Sequence, residues 1–327
     1  MLRLAYRFLL DADIQPIRLV HDLQNHDEIT YQLVPLEFHG DKTLEFQGRK
    51  ITARQLREQT LKQMRSAEAG DAAPYNLLYR PTEDGLATTY AGFVAASLGI
   101  RDLALITPEQ EKEIRRGHLL LAFANAMQPG VFSLSGWDLT GALPLPRKSV
   151  AELMKDGDYR WINRGGIDLM DVNPDAKTSR VGLPRARALY GPLSEQLKDP
   201  ESFASQLKQM LAARKQYRIA EGELVAVPSV ANSALCLLVM RISDKSALAI
   251  TALNYSQKAV RERFDLRAVK ELNRTAVAGK SIIDSVSGKV EGTVDSHGIL
   301  NIELDGWSGK TLIIAQHARR EVPRPGA

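Results

Sequence analysis

The chain has 327 residues, 44% hydrophobic and 25% charged, with 43 basic side chains against 39 acidic ones and a formal net charge of +4. This is ordinary globular composition with room for two domains and a sizeable core. The charges are spread out, the densest basic clusters being doublets such as Arg115-Arg116 and Arg319-Arg320, so no nucleic-acid groove is expected, and no apolar run reaches the roughly 18 residues that a membrane span needs.

From the start of the chain, Leu2, Ala5, Tyr6, Leu9 and Ala12 recur at helical spacing until Pro16. No charged-then-apolar leader with a small-residue cleavage site is present, which makes the cytoplasm the expected compartment. An extended run from Ile17 to Leu23 follows and opens into Gln24-Asn25-His26-Asp27-Glu28-Ile29-Thr30-Tyr31. In α/β layouts ligands gather at the carboxyl ends of strands, which is where Asn25, His26, Asp27 and Glu28 emerge. A carboxylate beside an imidazole and an amide suits a polyol and counters positive charge developing on a sugar ring; a simple polar turn explains the same four residues. His21-Asp22 and His26-Asp27 are paired like metal dyads, but a five-residue offset sets the histidines on opposite faces of a continuing strand, and no metal is expected.

The segment from Glu37 to Ala96 is long and polar, with a helix expected near Ala53 to Arg65 and a loop through Pro74 and Pro81. Thr107-Pro108-Glu109-Gln110 supplies a cap, a first-turn proline and a capping-box glutamine for a helix to about Met127, which Gln128-Pro129-Gly130 stops. The run Val131 to Leu139 reads as a strand from Val131 to Ser135 and its polar exit, and Asp199-Pro200-Glu201 as the cap of a helix carrying Phe203, Leu207, Met210, Leu211 and Arg214. Trp137, Tyr159 and Trp161 lie along a polar stretch, where they either stack on a sugar ring or pack that stretch down.

From about Glu223 the pattern changes to short apolar or alternating runs at 224–227, 234–240, 247–253, 260–266, 281–286, 299–304 and 311–315. Turn signals such as Ser243-Asp244-Lys245, Ser287-Gly288 and Asp305-Gly306 separate them. A small β-sandwich is expected over 223–320, with a disordered tail at 321–327. The one cysteine, Cys236, sits within an apolar run, so it reads as a buried strand residue and no intrachain disulfide is possible.

The stretch Gln24 to Tyr31 after its apolar run resembles the seventh-strand region of the α-amylase superfamily, where a strand is followed by Asn-His-Asp. Its continuation through Glu28 and Thr30 is closer to the trehalose synthases, the maltose α-D-glucosyltransferases of that superfamily. Leu98-Gly-Ile-Arg-Asp-Leu-Ala-Leu-Ile, the run from Val131 and the Leu211-x-x-Arg214 helix ending follow in the family's order. The resemblance implies an α/β plus all-β protein: residues 1–222 as the C-terminal part of a (β/α)8 TIM barrel, strands 7 and 8 with their helices and an insertion at 37–96, then the β-sandwich. It also implies Asp27 as a catalytic, transition-state-stabilising carboxylate. Asn25, His26, Glu28, Trp137 and Asp138 are then sugar contacts. Where the family has tyrosines and Gly-Asp-Glu after the eighth strand, this chain keeps only Gly136 and Asp138.

The implied reaction is retaining interconversion of maltose and trehalose, with no cofactor. Such transfer needs a carboxylate nucleophile and a carboxylic acid roughly 5 Å apart, and in the family these come from the fourth and fifth barrel strands, which have no counterpart here. Glu28 is a poor substitute, since neighbours leaving a strand point apart. Gly99-Ile100-Arg101-Asp102 is no substitute either, because its arginine and aspartate are adjacent. The chain is therefore expected to be an incomplete catalytic unit, with maltose, trehalose or related α-glucosides and the missing N-terminal barrel portion as partners. The competing readings are a non-catalytic sugar-binding module and a fragment of an amylase-type hydrolase.

Overall fold

The structure is a computed structural model that describes residues 2–30, 33–79, 85–242, 247–272 and 277–315. Tyr31, Pro81, Arg319-Arg320, the turn at 243–245 and the tail at 321–327 lie outside these. In chain order the first elements are α1 (Leu2–Asp11), β1 (Val20–Asp22), β2 (Ile29–Thr30), α2 (Val34–Phe38), β3 (Thr43–Phe46), β4 (Arg49–Thr52), α3 (Ala53–Glu68), β5 (Leu77–Leu78), β6 (Gly85–Ala87) and α4 (Tyr90–Ser97). There follow α5 (Pro108–Ala126), β7 (Val131–Ser133), α6 (Gly136–Thr140), α7 (Leu193–Gln196) and α8 (Phe203–Gln216). The C-terminal strands are β8 (Glu223–Ala226), β9 (Leu235–Ile242), β10 (Ala247–Asn254), β11 (Val260–Asp265), β12 (Ser281–Asp284), β13 (Val290–Thr293), β14 (Ile299–Leu304) and β15 (Ser308–Ala315).

Strands β1 and β7 pair. Val131 N donates to Leu19 O at 3.0 Å and Leu23 N to Ser133 O at 3.1 Å, so the two chains advance together and the pair is parallel. Both strands are shorter than the sequence suggests. Pro16 starts a 3-10 turn, Pro16–Arg18, which delays β1 to Val20. After Ser133 the chain turns helical, because the Ser135 side chain accepts from Asp138 N while the Asp138 carboxylate accepts from Ser135 N, a capping box that opens α6.

The described chain divides into two compact units, the first taking in Met1–His21, Phe123–Val131 and Gln209–Ala327 and the second Asp22–Ala122 and Phe132–Lys208. The boundary expected at 222 thus falls inside the first unit.

In the first unit, a six-stranded antiparallel sheet of order β13-β12-β15-β10-β9-β8 is accompanied by the two-stranded sheet β11-β14. Leu237, Val239, Ile250 and Ile314 from one sheet and Phe264, Leu300 and Ile302 from the other share one buried core, which makes the region a sandwich. Cys236 is buried in β9. Strand β13 is absent from the sequence expectation because its residues Val-Glu-Gly-Thr bury nothing and show no apolar face.

The C-terminal end of α5 is bound to this unit. Thr251 Oγ1 donates to Met127 O at 2.7 Å, and the buried Arg214 on α8 donates to the carbonyls of Ala126, Gln128 and Gly130. The cap of helix α8, Ser202, lies three residues beyond the expected Asp199. Asp199 shapes the preceding turn by accepting from Glu201 N, and Ser202 Oγ caps the helix by accepting from Ser205 N.

In the second unit, Thr107 and Gln110 form the expected capping box of α5, Gln110 N donating to Thr107 Oγ1 and Thr107 N to Gln110 Oε1. The segment 37–96 holds the hairpin β3–β4, the capped helix α3, helix α4 and, with β2, the three-stranded sheet β2-β6-β5. The Gln47-Gly48 turn of the hairpin has positive φ at both residues, as a two-residue hairpin requires. Residues 141–192 are largely irregular, closed by bridges Ala142↔Ala188 and Gly166↔Arg185 around a core of Leu145, Met154 and Ile162.

Candidate functional site

Asn25–Glu28, which follow β1 after Leu23 and Gln24, form a polar rim. Asn25 Nδ2 donates to Asp22 Oδ2 at 2.9 Å, and Asn25 Oδ1 accepts from Asp27 N at 2.7 Å, an Asx turn that fixes the loop locally. His26 points outward with 70% of its side chain exposed; Asp27 is 42% exposed and Glu28 16%. His26 Nε2 lies 3.6 Å from Asp27 Oδ2.

A second segment, far away in sequence, holds this rim in place. Asp158 caps the 3-10 turn Tyr159–Asn163, accepting from Arg160 N. Arg160 Nε and Nη2 donate to the two Asp158 oxygens at 2.7 and 3.2 Å, and Arg160 Nη1 donates to Asp27 Oδ1 at 2.8 Å and lies 3.7 Å from Glu28 Oε2. The guanidinium also sits 5.0 Å from the Tyr79 ring centre. Asn163 Nδ2 donates to Asp27 O at 2.7 Å, and Arg164 Nε donates to His26 O at 2.8 Å. Burial pushes the Asp158 carboxyl up, but hydrogen bonds from Arg160 and the nearby Arg164 charge outweigh it, and the net shift is downward. Three carboxylates, Asp27, Glu28 and Asp158, therefore meet two guanidiniums. Asp27 is an oriented anionic acceptor with one oxygen engaged by Arg160 and the other facing His26.

Beneath the rim, Gln24 is buried. Its N–H donates to Asp138 Oδ2 at 3.1 Å, its Oε1 accepts from Tyr90 N, and its Nε2 donates to Asn163 O. Asp138, expected among the sugar contacts, is sealed off: it is 0% exposed, and its carboxylate accepts from Ser135 N, Ser135 Oγ and Gln24 N and faces His118 Nε2 at 3.2 Å. Trp137 donates through Nε1 to Gly165 O and packs with Tyr159 and Trp161 against the core around Ile162, so packing accounts for the three aromatics. The structure brings Asn25, His26, Asp27 and Glu28 to one surface and keeps Asp138 below it.

Asp158, Arg160, Asn163 and Arg164 are absent from the sequence reading. The only local signal is an aspartate at a cap position before Tyr-Arg-Trp; nothing links it to a loop more than 130 residues away. A separate cavity of about 430 Å³ lies along residues 166–185. Two of its ionic groups, Asp168 and Arg185, serve the loop itself: Asp168 accepts from Val172 N and Asn173 N, and Arg185 donates to the carbonyls of Asn173 and Pro174. Among the described residues there is no cluster of three or more His, Cys, Asp or Glu suited to a metal ion, and no helix is long and apolar enough to cross a membrane.

No protein-family profile and no curated protein matches the chain. Among solved structures it is similar to the isomaltulose synthase of Protaminobacter rubrum, with 16% identity, 65% of this chain and 40% of that one covered, and a TM-score of 0.44. It is also similar to the trehalose-6-phosphate hydrolase of Bacillus licheniformis, at 14% identity, 61% and 39% coverage and TM-score 0.42. A third is an Anoxybacillus α-amylase, at 12% identity, 63% and 33% coverage and TM-score 0.38. The chain spans between 33% and 40% of these three structures. At TM-scores of this size the superpositions assign neither a complete fold nor an activity.

Proposed function

We propose that the rim Asn25–Glu28 binds a glucosyl unit of an α-glucoside such as maltose or trehalose, within a cytoplasmic enzyme that interconverts the two by retaining glucosyl transfer. Asp27 accepts hydrogen bonds from sugar hydroxyls and stabilises charge that develops on the ring, His26 adds a further hydrogen bond, and Glu28 lies at the edge of the same site. The reading rests on one observation: an exposed His26-Asp27 pair whose carboxylate is oriented by Arg160 Nη1 at 2.8 Å. An anion already balanced by a guanidinium is suited to orienting a polyol and poorly suited to attacking carbon. The nucleophile and the acid are accordingly assigned to a further portion of a longer catalytic unit, with this chain supplying the supporting carboxylate.

The same ion pairing also favours a non-catalytic sugar-binding module. Calorimetric titration of the chain with maltose and trehalose, followed by assay for conversion between them, tests both readings. Binding that disappears in Asp27→Asn with the fold retained supports the site, and absence of binding in the parent chain rejects it. Turnover by this chain alone would overturn the assignment of both reacting carboxylates elsewhere.

A further inference from the structure

The interior of the second unit holds a polar network that the sugar reading leaves unused. Asp138 and His118 are 0% and 1% exposed, and their side chains meet at 3.2 Å through Oδ1 and Nε2. A carboxylate only accepts, so Nε2 carries a proton and donates, while Nδ1 lies within hydrogen-bond distance of the Tyr190 hydroxyl at 3.1 Å. The imidazole is stacked on Tyr90, with ring centres 6.1 Å apart, and lies 4.7 Å from the Phe203 ring centre. Burial raises the hydroxyl pKa values of Tyr90 and Tyr190, keeping both neutral.

A buried carboxylate is costly to desolvate and is retained where its bonds fix something that an apolar side chain would not. Opening α6 requires only the Ser135 bonds of Asp138. The bond that exceeds this need goes to Gln24 N, the residue immediately before Asn25. From Gln24 the hydrogen bonds continue to Asn163 O, and Asn163 Nδ2 donates to Asp27 O. His118 orients Asp138, Asp138 holds Gln24, and Gln24 and Asn163 together set the height and direction of the rim.

We infer that His118 and Asp138 are positioning residues for the rim at Asn25–Asp27, acting through Gln24 and Asn163 without touching ligand. The inference rests on the sugar-site reading for its functional meaning; its geometric content stands apart from it.

Hydrogen–deuterium exchange of the segment 22–28, measured alongside maltose titration, separates the two. In His118→Ala, exchange in 22–28 accelerates at least tenfold while α3, in the same unit, keeps its protection, and maltose binding weakens at least tenfold. In His118→Gln, whose amide both donates and accepts, both are restored to within about threefold of the parent chain. A purely structural role predicts protection lost across the whole unit, with no rescue by glutamine, and that result would overturn the inference. Unchanged exchange in 22–28 in a folded His118→Ala would overturn it as well. Should His118→Ala fail to fold, Tyr190→Phe, which removes only the hydroxyl, decides by the same two readouts, with a several-fold acceleration confined to 22–28 expected. If the parent chain does not bind maltose but exchange responds as stated, the positioning role stands and the sugar reading fails.

Discussion

Arg160 and Asp27 are 133 residues apart, yet the guanidinium Nη1 lies 2.8 Å from the Asp27 Oδ1 atom while its remaining edge grips Asp158. One side chain thereby fixes the charge and direction of the rim's exposed carboxylate. Arg160→Ala leaves Asp27 unbalanced and free to rotate. With Asp27 42% exposed, solvent screening holds the stability loss to about 1 kcal/mol. The loss in maltose affinity is larger, about tenfold. Arg160→Lys does not restore it, because an ammonium cannot serve Asp158 and Asp27 with a planar fork. Paired calorimetry and thermal melts check both effects.

Glu68, at the end of α3, is 6% exposed, and one carboxylate oxygen is bonded to Ser97 Oγ at 2.8 Å while the other has no hydrogen-bond partner among the described residues. Burial pushes its pKa from 4.5 to about 7. The folded state therefore holds the proton more tightly than the unfolded one. The resulting stability is fully present below about pH 4.5 and is lost as pH rises through about 7. The displacement corresponds to about 3 kcal/mol as an upper figure. Glu68→Gln keeps the Ser97 contact, flattens this pH dependence and melts higher than the parent chain at pH 8. Melting temperatures at pH 5 and pH 8 provide the comparison.

Arg214 is 8% exposed, and burial lowers its pKa. Its guanidinium donates to three carbonyls around the Gln128-Pro129-Gly130 turn. Arg214→Met strands these carbonyls in the interior, and we expect a loss of about 3 kcal/mol by urea denaturation. Arg214→Lys recovers only part of it, since one ammonium cannot span carbonyls that a fork reaches from two nitrogens.

Gly130 has φ +107, and a Cβ there would lie 2.4 Å from Pro16 O and 2.7 Å from Leu19 O, both backbone atoms. Gly130→Ala must therefore displace the chain entering β1 and is expected to cost more than about 3 kcal/mol, beyond the penalty for the backbone angle. Gly279 is the control: at φ +75 with nothing within 4 Å, its alanine variant carries only the angular term, about 1 kcal/mol. Urea midpoints of the two variants make the comparison.

Local chemistry in the sequence was enough to read the strongest elements. The Thr107 capping box, the Pro16 stop and the apolar runs of the sandwich each carry their signal within a few residues, and α3 follows from its helical spacing. Strand β13 carries no such signal because both its faces are open, and the β3–β4 hairpin turns on Gln-Gly in place of the more familiar Asn-Gly. Asp138 misleads because an aspartate after a strand has one appearance in sequence whether it faces a ligand or, as here, an imidazole inside the unit. The clamp from Asp158 to Arg164 is invisible for another reason. Its bonds to the rim join residues 133 to 138 positions apart, and no periodicity or spacing rule encodes such a pairing.

Two of the bonds that hold the rim, from Asn163 to Asp27 and from Arg164 to His26, end on backbone carbonyls. Peptide oxygens are present whatever side chain the residue bears. At position 26 the loop's shape is thus largely separated from the chemistry it displays, and the imidazole can be exchanged for other polar groups without unseating the turn, whereas the Asp27 carboxylate is also the anchor for Arg160. A surface built in this way can be given a new ligand preference by substitution at position 26, with the supporting segment left untouched.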